Sequence, residues 1–151
     1  MRTLDSTEVR APIDRVFDVA ADVERWPTFL EHYRFVRMLE RRDGGGLVEM
    51  AAWRRFGPIP YPTWWVSEMD IDREHRVVRY RHVRGITRGM DVEWRLQQGP
   101  DAVGVTIEHV WRGPSWPVIG PAAARMVIGP VFIHHIAART LVGVKREAEG
   151  T

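Results

Sequence analysis

Cysteine is absent from this chain, and its absence excludes several kinds of chemistry at once. Without thiols there are no disulfides, no thiolate zinc sites, no iron–sulfur clusters and no cysteine nucleophile. Long apolar runs are also missing. Nowhere do about 18 apolar residues follow one another, and the opening segment MRTLDSTEVRAP lacks the apolar stretch of a signal peptide. We therefore expect a cytoplasmic protein without a membrane span.

Lysine is nearly absent too, since only one of the 22 basic residues is a lysine. The 20 acidic residues leave a net charge of +2, whereas nucleic acids are bound by a concentrated positive field. On neighbouring predicted strands, Arg79, Arg81 and Arg95 are expected to alternate with Asp91 and Glu93, which gives paired charges. We expect no DNA partner. Association with the ribosome or another RNA is a weaker alternative that requires a contiguous arginine patch.

A chain of 151 residues, 44% of them hydrophobic, is typical of a single domain, here residues 1–151. Over most of the chain the apolar residues recur with a period of two, which predicts strands. Short turns such as Gly44–Gly46 and Gly99–Asp101 make consecutive strands antiparallel. The predicted strands are Thr3–Arg10, Tyr33–Arg42, Leu47–Phe56, Thr63–Ile71, Val77–Gly85, Gly89–Gln97 and Val103–Arg112.

Helical spacing of apolar residues occurs in three segments. It predicts short helices over Ile13–Ala20 and Val23–Leu30, and a long one over Ala122–Glu147 with a break near Gly129–Pro130, beyond which the firmer helix begins. This order of elements predicts an α+β fold, in which a curved seven-stranded antiparallel sheet wraps around the long C-terminal helix. A space between the sheet and that helix follows from the curvature.

Two segments, one before and one after the six consecutive predicted strands, carry a family resemblance. APIDRVFDVAADVERWPTFL and HHIAARTLVGVKRE resemble START-like and birch-pollen-allergen-like proteins of the helix-grip superfamily, and in particular its polyketide cyclase/dehydrase group with aromatase/cyclases and coenzyme Q-binding relatives. The resemblance implies a mostly apolar pocket between sheet and helix for a polyketide, aromatic, lipid or quinone-like molecule. Members of the superfamily include cyclising enzymes, carriers without chemistry and ribosome-associated proteins.

Strand alternation predicts which side chains face that pocket. In the strand Leu47–Phe56 the pattern leaves open whether Arg54 or Arg55 lies at the pocket mouth. The proline-rich segments GPIPYP and GPSWPVIGP are interpreted as loops that rim the entrance or simply connect elements. The predicted ligand-binding residues are Arg54, Trp65, Met69, Tyr80, Trp94 and Trp111.

Three further residues are candidate catalytic groups. His82 and His109 lie on predicted apolar strand faces, and an imidazole that titrates near neutral pH can transfer protons or polarise a ligand. The alternative is a pair of hydrogen-bonded core histidines. Tyr33 stands where the aromatase/cyclases resemble this sequence and carry a tyrosine, and it can protonate or orient a carbonyl group. The related enzymes also use an arginine at the position of Met69, so the chain departs from their pattern there.

The sequence carries no motif that is typical of a metal site or of a hydrolase. His134 and His135 are adjacent on a predicted helix, point about 100° apart and lack an accompanying metal motif, so no metal or other cofactor is expected. The first hypothesis is a protein that binds a hydrophobic small molecule, with polyketide cyclase/dehydrase turnover left open. A lipid or quinone carrier without turnover is the alternative, and an RNA-associated module is the second alternative. The sequence does not predict an oligomeric state.

Overall fold

The computed structural model describes residues 1–56, 59–112 and 130–151, apart from the side chains at positions 54–56, 61 and 130–132. Strands and helices follow the predicted order along the chain. The elements are β1 (Arg2–Val9), α1 (Ile13–Ala21), a 3-10 turn (Val23–Arg25), α2 (Trp26–Phe29), β2 (Tyr33–Arg42), β3 (Gly45–Phe56), β4 (Ile59–Asp72), β5 (Val77–Gly85), β6 (Asp91–Gln98), β7 (Val103–Val110) and α3 (Pro130–Glu149).

The seven strands form one antiparallel sheet in the order β1-β7-β6-β5-β4-β3-β2. Each strand from β2 to β7 pairs with its neighbour in sequence, and β1 closes the other edge by pairing with β7. The turn from β2 to β3 requires glycine: Gly44 and Gly45 have φ angles of 72° and 154°, and a Cβ atom at Gly45 would overlap the carbonyl oxygen of Met69. The predicted helix-grip architecture is confirmed.

Helix α3 lies against β1 and α1 and covers the inner face of the sheet. Its described part runs from Pro130 to Glu149, and the break expected near Gly129–Pro130 stays a prediction because residues 113–129 lie outside the described ranges. Its predicted apolar side is buried. In the described ranges no helix has the length and apolarity needed to cross a membrane. The buried side of α3 includes Ile133, Ala137, Thr140, Leu141 and Val144.

The structure departs from the predicted bounds at the second helix and at the start of β4. The expected helix Val23–Leu30 is divided into the 3-10 turn and the four-residue α2, as the proline of Trp26-Pro27 suggests. The segment GPIPYP is not simply a loop, since β4 begins at Ile59 and continues through two prolines. These prolines are tolerated because that part of β4 pairs only with β3. The expected helix over 122–129 and the loop GPSWPVIGP lie outside the described residues.

The outer face of the sheet carries the paired charges that the sequence predicts. Arg79 lies 3.0 Å from a carboxylate oxygen of Glu93, Arg81 lies 3.1 Å from one of Asp91, and Arg95 also pairs with Glu93. Exposed pairs of this kind contribute little to stability. They do balance the positive charge of these arginines over this part of the sheet.

Candidate functional site

A small cavity lies between the inner face of the sheet and the first half of α3. Its volume is about 80 Å³. Strands β2 to β7 supply most of the wall, α3 closes it, and none of the described residues at its border is Asp, Glu, Lys or Arg. The described border comprises Trp26, Tyr33, Met50, Thr63, Trp65, Tyr80, His82, Ile86, Thr87, Met90, Val92, Trp94, Ile107, His109, Ile133, Ile136, Ala137 and Thr140.

Aromatic rings form one continuous part of this wall. Trp26 packs edge-on against Tyr33 with ring centroids 5.3 Å apart, and its ring lies 5.6 Å from that of Trp94. The indole Nε1 of Trp26 donates a hydrogen bond to the carbonyl oxygen of Val19, 3.2 Å away. Tyr33 also packs edge-on against Trp65, at 6.2 Å. The rings therefore support one another and give the cavity a flat, polarisable wall.

His82 is held in this wall from two sides. Its Nδ1 atom lies 2.6 Å from the hydroxyl oxygen of Thr87, and its ring stacks on that of Trp65 at 5.7 Å with an interplanar angle of 5°. Burial, together with the neighbouring His109, lowers the pKa of His82 to about 3. At neutral pH this imidazole is uncharged, so it can both donate and accept a hydrogen bond.

Two other polar groups at the cavity have no protein partner within the described part of the chain. The hydroxyl of Tyr80 and the Nδ1 atom of His109 are buried without a hydrogen bond. Burial lowers the pKa of His109 to about 4 and raises the pKa of Tyr80, so both groups are neutral at pH 7. In the sheet they belong to one transverse row, with Val92 between them. Each retains unused hydrogen-bonding capacity in an otherwise apolar wall.

Thr140 of α3 connects the helix to the residues that begin β2. Its hydroxyl donates to the carbonyl oxygen of Ile136 at 2.8 Å and lies 3.0 Å from Nε2 of His32. Because the hydroxyl proton is already used, His32 is the donor and carries its proton on Nε2. Burial and then the positive charges of Arg139 and His135 lower the pKa of His32 to about 4. Burial also raises the pKa of Tyr33, and its hydrogen bond with Thr140 offsets only part of this shift.

Most of the predicted site residues come together at this cavity. Tyr33, His82 and His109, and with them Trp65, Tyr80 and Trp94, all border it, while their chemical roles remain predictions. Met69 and Trp111 are buried but are not among the described border residues, and the indole of Trp111 donates to the carbonyl oxygen of Arg88 at 3.0 Å. The side chain of Arg54 lies outside the described residues, so the choice between Arg54 and Arg55 stays a prediction.

Sequence reasoning missed two polar border residues of the cavity, Thr87 and Thr140, and His32, which lies 3.0 Å from Thr140 but does not border the cavity. The helical pattern places Thr140 on the buried side of the helix but does not mark it as a hydrogen-bonding group. The sequence did contain a signal for this hydrogen bond, because a threonine on the apolar side of a helix needs a polar partner. Nothing in the alternation pattern pointed to His32, which lies just before β2, or to Thr87, which lies in the turn after β5. Both depend on contacts between elements.

Of the adjacent histidines on α3, one has a clear partner in the sheet. His134 pairs through Nδ1 with the buried carboxylate of Asp5 on β1. Within residues 1–56, 59–112 and 130–151 there is no group of three or more His, Cys, Asp or Glu side chains suited to hold a metal ion.

Comparison with known proteins identifies the family. Residues 9–132 match the family model described as polyketide cyclase/dehydrase and lipid transport. The chain belongs to this family. A protein of Streptomyces halstedii, provisionally named a polyketide cyclase, is 35% identical over 102 residues, which cover 63% of this chain and 86% of that protein. Another protein with this provisional name, from Streptomyces cyaneus, is 33% identical over 106 residues, covering 66% of this chain and 64% of the relative.

Solved structures of similar proteins share the fold. The Zhui aromatase/cyclase from Streptomyces sp. R1128 superposes with a TM-score of 0.82 at 24% identity, over 99% of this chain and 93% of that one. The protein TTHA0849 from Thermus thermophilus gives a TM-score of 0.83 at 16% identity, over 99% and 98% of the two chains. At these identities the likeness shows the architecture alone.

Proposed function

We propose that this family member binds an uncharged hydrophobic small molecule that carries carbonyl or hydroxyl oxygens, of the polyketide-derived or aromatic class. The ligand lies between the sheet and α3, with its rings against Trp26, Trp65 and Trp94. The family membership supports a hydrophobic ligand. The composition of the wall supports an uncharged one, because no acidic or basic side chain among the described border residues is available to pair with a charge.

The observation that carries this proposal is the pair of unused polar groups at Tyr80 and His109. A buried polar group left unpaired costs about 1–3 kcal/mol, so a ligand that pairs with these two groups gains binding free energy from each. A ligand oxygen can accept from the Tyr80 hydroxyl, and a second polar group can meet Nδ1 of His109. With one strand between them, their backbones lie about 10 Å apart, which suits a ligand with polar groups at two positions on a flat skeleton.

Binding also requires the wall to adapt. The volume of about 80 Å³ is well below the roughly 300–1,000 Å³ of pockets for drug-sized ligands. Met50 and Met90 both border the cavity, and their unbranched side chains can change rotamer at low cost. Ile136 is only half-buried at the same border. These side chains are the ones that we expect to move when a ligand enters.

Calorimetric titration with two matched probes tests the proposal. We expect 1-naphthol, which has a hydroxyl group, to bind more tightly than naphthalene, which has the same rings without it. This preference should fall by about five- to tenfold, the equivalent of one hydrogen bond, in whichever of the variants Tyr80→Phe and His109→Phe removes the partner of the single naphthol hydroxyl, and in the double variant. His75→Gln changes an exposed histidine and serves as the control. Equal affinity for the two probes, or no binding of either, would contradict the proposal.

Polyketide cyclase/dehydrase turnover is the second candidate, and the neutral imidazoles favour it. In such a reaction a carbon between two carbonyl groups loses a proton to the free imidazole of His109, and the Tyr80 hydroxyl stabilises the enolate oxygen. The low pKa of His109 makes it a weak base, which is why binding is the primary proposal.

The two candidates differ in one measurement. With a poly-β-ketone thioester such as 3,5,7-trioxooctanoyl N-acetylcysteamine, a cyclase forms an aromatic product whose absorbance appears only with the protein present. His109→Phe should abolish that product, whereas His75→Gln should not. Naphthol binding without any product formation would identify a carrier.

A further inference from the structure

Strands β3 and β4 extend beyond the rest of the sheet as a two-stranded ribbon. The two strands remain paired as far as Phe56 and Ile59, but β2 reaches only to Ala52 and β5 only to Trp65. The ribbon, defined here as residues 53–56 and 59–64, therefore has no neighbouring strand on either side among the described residues. A ribbon of this kind is poorly stabilised by itself and commonly meets another surface.

Large apolar side chains are exposed on this ribbon. Trp53 is 40% exposed, Trp64 41% and Ile59 65%. Trp64 pairs with Ala51 and Trp53 pairs with Pro62, so the two indoles lie on the same face as diagonal neighbours. Ile59 lies on the opposite face of the ribbon, which it shares with Thr63. Single exposed apolar residues are ordinary, but two neighbouring indoles on one face of a projecting element mark an interaction surface.

Positive charge predominates around the indoles. The guanidinium carbon of Arg34 lies 4.7 Å above the ring centroid of Trp53, and Arg84, at the neighbouring end of β5, forms no ion pair within the described residues. Between Met50 and Ser67 the sequence has two arginines and no acidic residue. The nearby carboxylate of Glu49 is already engaged by Arg37 at 2.9 Å and by the indole Nε1 of Trp64 at 3.0 Å.

We propose that the ribbon docks on the surface of an anionic lipid bilayer. Indoles favour the interface between lipid headgroups and acyl chains, where the ring is in an apolar environment and the N–H group meets water. Arginines beside them attract anionic headgroups and keep their charge in the aqueous layer. The combination of exposed indoles, nearby guanidinium groups and a carboxylate at Glu49 that is already paired with Arg37 fits this partner better than a second copy of the chain, whose ribbon would carry the same positive charge.

The docking indoles and the cavity lie on opposite faces of β3 and β4. The inner side of the same two strands supplies Met50, Thr63 and Trp65 to the cavity border. The docking itself does not depend on the proposed ligand.

Vesicle co-sedimentation tests the proposal directly. We expect the full chain to sediment with vesicles of equal parts phosphatidylglycerol and phosphatidylcholine, and more weakly with phosphatidylcholine alone or at high salt. The double variant Trp53→Ser/Trp64→Ser should bind these vesicles about tenfold or more weakly. Arg34→Gln should weaken binding only to the anionic vesicles. The control is Leu4→Ser/Leu39→Ser, which changes residues 60% and 49% exposed away from the ribbon.

Three results would overturn the proposal: no binding to anionic vesicles, equal loss of binding in the control variant, or concentration-dependent dimerisation that the tryptophan variant abolishes. The last would identify a second copy as the partner. The double variant should retain the circular dichroism spectrum and the 1-naphthol affinity of the parent protein. Failure of vesicle binding is thereby distinguished from failure of the ligand proposal.

Discussion

Acidification from pH 7 to pH 5 should destabilise the fold through three buried histidines. Burial lowers the pKa of His82 to about 3, and the pKa values of His32 and His109 to about 4. In the unfolded chain a histidine titrates near 6.5. Between about pH 4 and 6.5 the unfolded state therefore binds more protons than the folded state, and the free energy of unfolding falls as the pH falls.

The size of the effect follows from these values. At pH 5 each histidine is protonated in the unfolded chain and neutral in the folded protein. Each one therefore lowers the free energy of unfolding by about 2 kcal/mol relative to its value at neutral pH. Three such groups amount to about 6 kcal/mol, a large part of the 5–15 kcal/mol that stabilises a typical domain. Above pH 6.5 the contribution is complete and stability should no longer depend on these groups.

Urea denaturation at half-unit steps from pH 5 to 7.5 measures this dependence. In His82→Gln the slope of the unfolding free energy against pH should decrease by about 1.4 kcal/mol per pH unit, since one proton fewer is taken up on unfolding. The glutamine amide can still reach the Thr87 hydroxyl, so the variant is expected to fold. Even if it is less stable throughout, the slope remains the informative quantity.

The exposed His75 provides the matched control, because His75→Gln removes an imidazole that is not buried. Its slope should stay close to that of the parent protein. Parallel curves for the parent and His82→Gln would refute the reasoning, since they would mean that His82 takes up its proton equally in both states.

Two further predictions concern packing on α3. Leu141→Ala should lower the free energy of unfolding by about 2–5 kcal/mol, because Leu141 is 3% exposed. The control Val142→Ala, at a position 49% exposed, should change it by less than about 0.5 kcal/mol. Similar losses for the two variants in a urea titration would contradict this prediction. Gly143→Ala should destabilise by about 1–2 kcal/mol despite the better helix propensity of alanine, since its Cβ atom would overlap Leu30. In a Leu30→Ala background the same change should become neutral or stabilising, and an unchanged cost there would rule out the overlap.

The sheet was predictable because one of its faces is buried and the other is exposed to solvent. In β6 the alternation of Val92, Trp94 and Leu96 with charged residues fixes both the strand and its inward side, and all three are buried. The bounds Val77–Gly85 agree with the prediction for β5. Where a strand carries mixed residues on both faces, as around Arg54 and Arg55, the same rule gives no answer.

The site was less predictable than the sheet, because a side chain that faces the inside of the sheet does not necessarily line the cavity. Met69 faces inward on β4 and pairs with Tyr80 on β5, but it is part of the packed core rather than of the described cavity border. Trp111 lies beyond the end of β7, where strand alternation no longer applies. The position of α3 over the sheet decides which inward residues meet empty space, and that position depends on contacts between distant parts of the chain.

The neutrality of the cavity wall limits which ligands can enter it completely. A fatty acid would have to bring its carboxylate among described border residues that carry no compensating positive charge. Desolvation of an unpaired carboxylate is too costly for such a wall, so a charged headgroup would have to remain outside. A ketone, quinone or phenol meets no such penalty, because the Tyr80 hydroxyl and the His109 imidazole can satisfy its oxygens without any charge. If the proposed ligand class is correct, the Tyr80 hydroxyl and the His109 imidazole, which have no protein partner within the described residues, therefore favour an uncharged, oxygen-bearing ring system.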